Sequence, residues 1–298
     1  MGCCIQRTIE EKKKENGGFP ICILTIPIET EIWALAPISN EKLLMGAKDE
    51  LKIFDGESKS IIPISKEHDG RINCLIKLSN GYVASGSQDT TIKIWNLEKK
   101  EVISTLKGHT SIIWDIRELP DNRLISASDD KTSKLWDLKT QKNEVLCKNT
   151  RHVSSIAVLK NNKVVLAAGH NILLYDLNTN EQISFLDIKA WSLKELSNGD
   201  VAAGLGNGLL FIIEVTDELL IKTKFPQGHK KTINNIIELD NHKIVTSSDE
   251  NDLILWDPNE PESMYLLKGH TNIVTGLCFI SGTRFASVSI DKTLKIWE

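Results

Sequence analysis

From about residue 19 to its end the chain is filled with short runs in which apolar and polar side chains alternate. SIIWDIREL, RLISAS and TSKLWDL are examples, and Asn-Gly, Asp-Asn and Asp-Asp-Lys stand between such runs. Period-two alternation bounded by turn-forming residues predicts half-buried strands joined by tight hairpins. No later stretch has the spacing of an amphipathic helix, so the reading is all-β. The longest apolar runs are four or five residues, far short of the roughly 18 that a membrane-crossing helix needs. The chain is therefore expected not to span a membrane.

The strand-like runs recur with a long period. ELKIFDG, TIKIWNL, SKLWDL, ILLYDL, LLFIIEV, LILWDP and LKIWE carry Phe54, Trp95, Trp136, Tyr175, Ile213, Trp256 and Trp297 at one equivalent place. The six intervals lie between 38 and 43 residues and average 40.5. Seven copies occupy nearly the whole chain and leave only a short N-terminal segment, so one domain over 19–298 follows a tail over 1–18. A unit of this size cannot bury its own apolar face and has to stack on its neighbours.

Gly108-His109, Gly228-His229 and Gly269-His270 near the starts of repeats, with Trp136-Asp137 and Trp256-Asp257 at their ends, resemble WD40 repeats. The resemblance implies a seven-bladed β-propeller with four antiparallel strands per blade around a central channel. Glu298 follows the third strand of the last repeat, whereas FPICILTI, Phe19 to Ile26, precedes the first repeat without a place in it. An open sheet edge invites pairing with other chains. The N-terminal run is accordingly predicted to pair as the outermost strand of the last blade.

Three repeats place His, Ser, Asp and Trp at the same offsets: His68, Ser85, Asp89, Trp95; His109, Ser126, Asp130, Trp136; and His270, Ser287, Asp291, Trp297. A fourth is close, with His229, Thr246, Glu250 and Trp256. One such set alone would suggest a catalytic triad. Recurrence blade by blade points instead to structure, and the resemblance implies a hydrogen-bonded network between the loop before the first strand and the second turn. Repeats 1, 4 and 5 lack the set: Phe54, Tyr175 and Ile213 replace the tryptophan, and Ala203 and Asn207 replace Ser and Asp.

The other three tryptophans, Trp33, Trp114 and Trp191, align at one position of the first strand, where the remaining repeats carry Asn73, Ser154, Asn234 and Thr275. In WD40 propellers that position faces the channel mouth on the top surface. Two residues earlier stand Glu31, Arg71, Ile112, His152, Lys189, Thr232 and Ile273, and Gln88, Asp129, Asp249 and Ile290 precede the turn acids. Large aromatics around an exposed mouth suit recognition of a protein or peptide. The alternative is that they pack on one another and plug the channel.

Composition narrows the function classes. Lys and Arg total 36 against 40 Asp and Glu, a formal charge of −4. No global attraction for nucleic-acid phosphates follows from that balance. Six cysteines, at 3, 4, 22, 74, 147 and 278, include no CxxC and no metal-ligand spacing. Reduced thiols in a cytoplasmic protein are expected, with Cys74 and Cys278 as small buried apolar groups and no metal or cofactor. After loss of Met1, Gly2 followed by Cys3 and Cys4 resembles the signal for myristoylation with adjacent palmitoylation, although Gln6 stands where Ser or Thr is favoured. Two acyl chains would hold the protein at the cytoplasmic face of a membrane. A flexible tail without lipid is the other reading.

No phosphate-binding glycine loop, paired catalytic carboxylates or metal cluster stands out, so the expected role is a non-enzymatic protein–protein interaction scaffold. A substrate receptor of a cullin-type ubiquitin ligase is the rival. The segment Leu124 to Lys139 is similar to the motif by which WD40 receptors dock on their adaptor, with Lys139 in place of the usual Arg and a polar Ser133.

Overall fold

The computed structural model describes residues 19–298. These residues form twenty-eight strands, numbered β1 to β28 along the chain, in seven four-stranded antiparallel sheets. Each sheet is a blade. Blades 1 to 6 each use four consecutive strands, over 32–66, 72–106, 113–148, 153–186, 190–224 and 233–267. Their innermost strands are β2 (Ile32–Ser39), β6 (Ile72–Lys77), β10 (Ile113–Glu118), β14 (Val153–Val158), β18 (Ala190–Glu195) and β22 (Ile233–Glu238).

Blade 7 is assembled from both ends of the described chain. Its order is β26 (Val274–Ser281), β27 (Arg284–Ser289), β28 (Thr293–Trp297) and then β1 (Cys22–Pro27) on the outside. β1 runs antiparallel to β28, with Thr25 opposite Lys295 and Pro27 opposite Thr293. The strand predicted over Phe19 to Ile26 thus forms, but it starts later and ends one residue further on. Pro20 has no N–H to give to a ladder, and Phe19 turns aside to stack on Tyr265 with ring centroids 3.8 Å apart. Ile21 and Glu298 still exchange backbone hydrogen bonds of 2.9 and 3.0 Å. The innermost strands contact one another around the whole circle, β26 against β2 included. The protein is a closed seven-bladed β-propeller.

Because a blade is apolar on both faces of its inner strands, the core lies between blades. Strands such as Leu124–Ser128 and Ile244–Ser248 are buried at every residue. Between blades 2 and 3 the cluster joins Ile92, Ile94 and Leu106 to Ile113, Ile116 and Trp136. Between blades 7 and 1 it joins Val288, Leu294 and Ile296 to Ile32, Leu43 and Met45, with Ile23, Leu24 and Ile26 of β1 packed against it. Close approach requires a small residue on the second strand: a Cβ on Gly86 would lie 2.7 Å from the Ile113 side chain of the next blade. In blade 7 the second strand carries Val288, and the glycine moves to its ladder partner, Gly276.

The face bearing the turns that start β28 and its equivalents is called the top. At the opposite face, Phe19 and Glu298 lie beside Leu239, Asn241 and Lys243 of blade 6.

Candidate partner-binding face

All seven innermost strands share one irregularity. The ladder to the second strand shifts register after the first residue, and the residue left without a partner is Trp33, Asn73, Trp114, Ser154, Trp191, Asn234 or Thr275. A bulge of this kind re-aims one side chain, and here it turns each of the seven into the channel. The channel is a cavity of about 880 Å³ lined by all seven of these residues, together with Arg71, Thr232, Asp249 and Ile273. Gln88, Asp129 and Ile290 do not line it. Their backbone N–H groups, like that of Asp249, donate to the carbonyls of Arg71, Ile112, Ile273 and Thr232, so each second turn is tied to the rim two residues before the bulge.

The three indoles differ in their surroundings, and all are partly buried. Trp114 and Trp191 meet edge to face at 5.9 Å, across blade 4, which contributes only the small Ser154 between them. His152 of blade 4 also packs edge to face on Trp191 at 5.0 Å. Trp33 instead carries the Arg71 guanidinium 3.9 Å from its ring centroid, while Arg71 Nε donates to Asn73 Oδ1. Acids hold two of the seven positions: Trp114 Nε1 donates to Asp129 Oδ1 at 3.2 Å and Asn234 Nδ2 to Asp249 Oδ1 at 2.8 Å. Beneath the Trp114–Trp191 pair, buried Asp115 accepts from Ile156 N–H and Ser155 Oγ, and Ser155 Oγ accepts from Leu193 N–H. This chain of bonds fixes blades 3, 4 and 5 relative to one another. Burial raises the Asp115 pKa, and Arg117, 3.3 Å away, opposes that rise.

The four polar sets are connected in one sense. An indole N–H can only donate, so Trp136 Nε1 gives its proton to Ser126 Oγ at 2.8 Å. The serine proton then goes to His109 Nε2 at 2.6 Å, and Nδ1–H donates to Asp130 Oδ2 at 2.7 Å. Burial favours the neutral ring, with its proton on Nδ1 facing the carboxylate. The same bonds join Trp95, Ser85, His68 and Asp89, and Trp297, Ser287, His270 and Asp291. In blade 6, Trp256 and His229 share Thr246, but the His229–Glu250 contact stretches to 3.3 Å. The histidines are buried and none of them lines the central channel, so these sets pin loops.

Burial lowers the His109 pKa against the pull of Asp130. For Asp130, burial works upward, but hydrogen bonds from Thr132 and His109 outweigh it and hold the carboxyl below its usual range. Both shifts mean that the unfolded chain binds protons more readily than the folded one. Their contribution to stability is complete above about pH 6.5 and is lost as pH falls, through the histidine range and then the carboxylate range. Asp130→Ala should cost about 1–3 kcal/mol at neutral pH, because His109 Nδ1 and Thr110 N–H lose a buried acceptor. Thermal midpoints measured from neutral to acid pH check this, and the variant should lose the carboxylate's share of the acid slope.

Family comparison agrees with this geometry. Residues 59–96, 100–137 and 261–298 match the family described as WD domain, G-beta repeat. These three stretches are WD40 repeats. Each matched stretch spans the outermost strand of one blade and the three inner strands of the next, so the WD40 sequence unit is offset by one strand from the blade. Human apoptotic protease-activating factor 1 is 27% identical over 161 residues, 51% of this chain and 13% of that protein. WD repeat-containing protein 37 of human and of Xenopus tropicalis is 39% identical over 57 residues, 18% of this chain and 12% of theirs. The chain thus spans about an eighth of the length of these curated relatives.

The WD40 sets contain a member that the spacing argument passed over. Thr91, Thr132 and Thr293 each donate Oγ–H to the aspartate two residues before them, at 2.6–2.7 Å. The signal was present as Asp-x-Thr, and blade 6, with Glu250-Asn251-Asp252, lacks it. Among the described residues no group of three or more His, Cys, Asp or Glu is arranged to hold a metal ion. Cys74, Cys147 and Cys278 are buried free thiols, and burial lifts the Cys278 pKa to about 12. Within Leu124–Lys139, Ser133 is fully buried and Lys139 exposed. Gly2, Cys3 and Cys4 lie outside the described residues.

Proposed function

We propose that this protein is a cytoplasmic, non-enzymatic scaffold that takes a protein or peptide segment at the top mouth of the channel, with Trp33, Trp114 and Trp191 as anchors. WD40 propellers in general present their surfaces to protein partners. The observation that carries the reading is the set of seven bulges, which turns three large aromatics and four small polar groups into one open cavity. Aromatic rings supply contact area at small entropic cost and dominate binding hot spots. Arg71, Asn73, Asn234, Thr275 and Asp249 supply hydrogen bonds in the cavity, and Gln88, Asp129 and Ile290 extend the contact outward over the rim.

Affinity purification from the native cell tests this reading. A variant with all three tryptophans changed to alanine is expected to fold with the wild-type far-UV spectrum and to lose its partners. Retention of every partner would overturn the assignment. Cullin subunits bound equally to wild type and variant would point instead to a ligase receptor docking through Leu124–Lys139.

The N-terminal Gly2, Cys3 and Cys4 further support a tether to the cytoplasmic face of a membrane. Metabolic labelling with a myristate analogue should mark the wild type and leave Gly2→Ala unlabelled, and the variant should leave the membrane fraction.

A further inference from the structure

Charge is unevenly spread around the top mouth. The second turns of blades 2, 3, 6 and 7 carry Asp89, Asp129 with Asp130, Asp249 with Glu250, and Asp291. Blade 4 has Gly169-His170 there, and blade 5 has Gly206-Asn207-Gly208. The second turns of those two adjacent blades therefore bring no carboxylate to the rim, and the one acid in the loops before β14 and β18 is Asp187, two residues before Lys189. Their loops bring cations: Arg151 and His152 precede β14, and Lys189 precedes β18. Arg151, His170 and Lys189 are exposed, and among the described residues none of them forms an ion pair with a carboxylate. All three lie close enough to act electrostatically on His152, whose ring packs against Trp191. Asp129 on one side and Asp249 on the other bound this sector, and both acids are occupied by Trp114 and Asn234.

We propose that the segment taken by the mouth is acidic, and that its anionic groups lie over blades 4 and 5 on Arg151, Lys189 and His170 while an apolar neighbour rests on Trp191 and Trp114. An unpaired arginine and lysine beside a half-buried indole complement a peptide that alternates carboxylate and apolar side chains. Cationic segments are disfavoured there by like charge. Charge-assisted hydrogen bonds from a guanidinium suit carboxylate and phosphoryl groups alike. The inference rests on the mouth being the recognition site, and it names the chemistry of what is recognised.

The test uses the full chain and short fluorescent peptides of alternating Glu and Leu, their Lys and Leu counterparts, and a phosphoserine version of the first. The Glu/Leu peptide should bind and the Lys/Leu peptide should not, and the phosphoserine arm tells carboxylate from phosphoryl preference. Removing charge at two exposed positions, in Arg151→Ser with Lys189→Ser, should weaken binding by on the order of tenfold or more. The matched pair Lys107→Ser with Lys268→Ser, exposed on the tops of other blades, should leave it unchanged. No binding of either acidic peptide, equal loss in both double variants, or tighter binding of anionic vesicles or single-stranded DNA would overturn the proposal. Acidic-peptide binding that depends on the tryptophans but not on Arg151 and Lys189 overturns it while leaving the mouth as the site. Binding that depends on Arg151 and Lys189 but survives loss of the tryptophans supports the anion contact and overturns the mouth.

Discussion

Removal of residues 1–26 is expected to abolish the cooperative thermal transition, whereas removal of 1–16 leaves it unchanged. The shorter cut spares β1 and its pairing with β28. The longer one strips the outer strand from blade 7 and exposes the N–H and C=O groups of β28, which now pair with Leu24 to Pro27. It also withdraws Ile23, Leu24 and Ile26 from the cluster that seals blade 7 against blade 1. Each partly buried aliphatic side chain is worth about 1–2 kcal/mol, and each ladder hydrogen bond about 1 kcal/mol. The loss is comparable with the whole stability of a typical domain, about 5–15 kcal/mol. Calorimetry should show a broad, weak transition, and size-exclusion chromatography should show association through the freed edge. An unaltered midpoint would mean that the ring is held elsewhere.

The second large effect is expected at Trp136. Its indole is fully buried between blades 2 and 3, and Trp136→Ala should cost about 3–5 kcal/mol through the cavity it leaves. Blade 1 shows how the loss can be offset. At the places of His109, Ser126 and Trp136 it carries Ile28, Met45 and Phe54, all buried in one apolar cluster. Replacing both partners of a hydrogen bond by apolar groups is far less costly than stranding one of them. Changing His109→Ile, Ser126→Met and Trp136→Phe together should therefore destabilise less than Trp136→Ala alone, and urea unfolding of the variants measures the difference. If the triple variant is the less stable, the blade needs its polar set as such.

Those substitutions mark the boundary of what was legible in the amino-acid order. Alternation and a period near forty residues sufficed for the strands, the blade number and the partner of β1, because both follow from which side chains must leave water. The alignment of Trp33, Trp114 and Trp191 likewise relied on apolar positions alone. That Ile28 and Met45 replace His and Ser was not read, since buried aliphatic residues look alike wherever they sit. The Trp114–Trp191 contact was beyond reach for another reason: it spans two blades and depends on the radius of the ring and on the small Ser154 between. The buried Asp115 gave no signal either. A carboxylate inside an alternating run marks a solvent-facing position until the bulge at Trp114 shows which way it points.

The direction of β1 carries a consequence for how the molecule is mounted. Cys22 lies beside Trp297 near the bottom face, and Pro27 beside Thr293 at the top. The described chain therefore begins on the underside of the disk, with Phe19 on the face away from the tryptophan-bearing opening. A label joined to Phe19 would consequently sit across the disk from Trp33, Trp114 and Trp191.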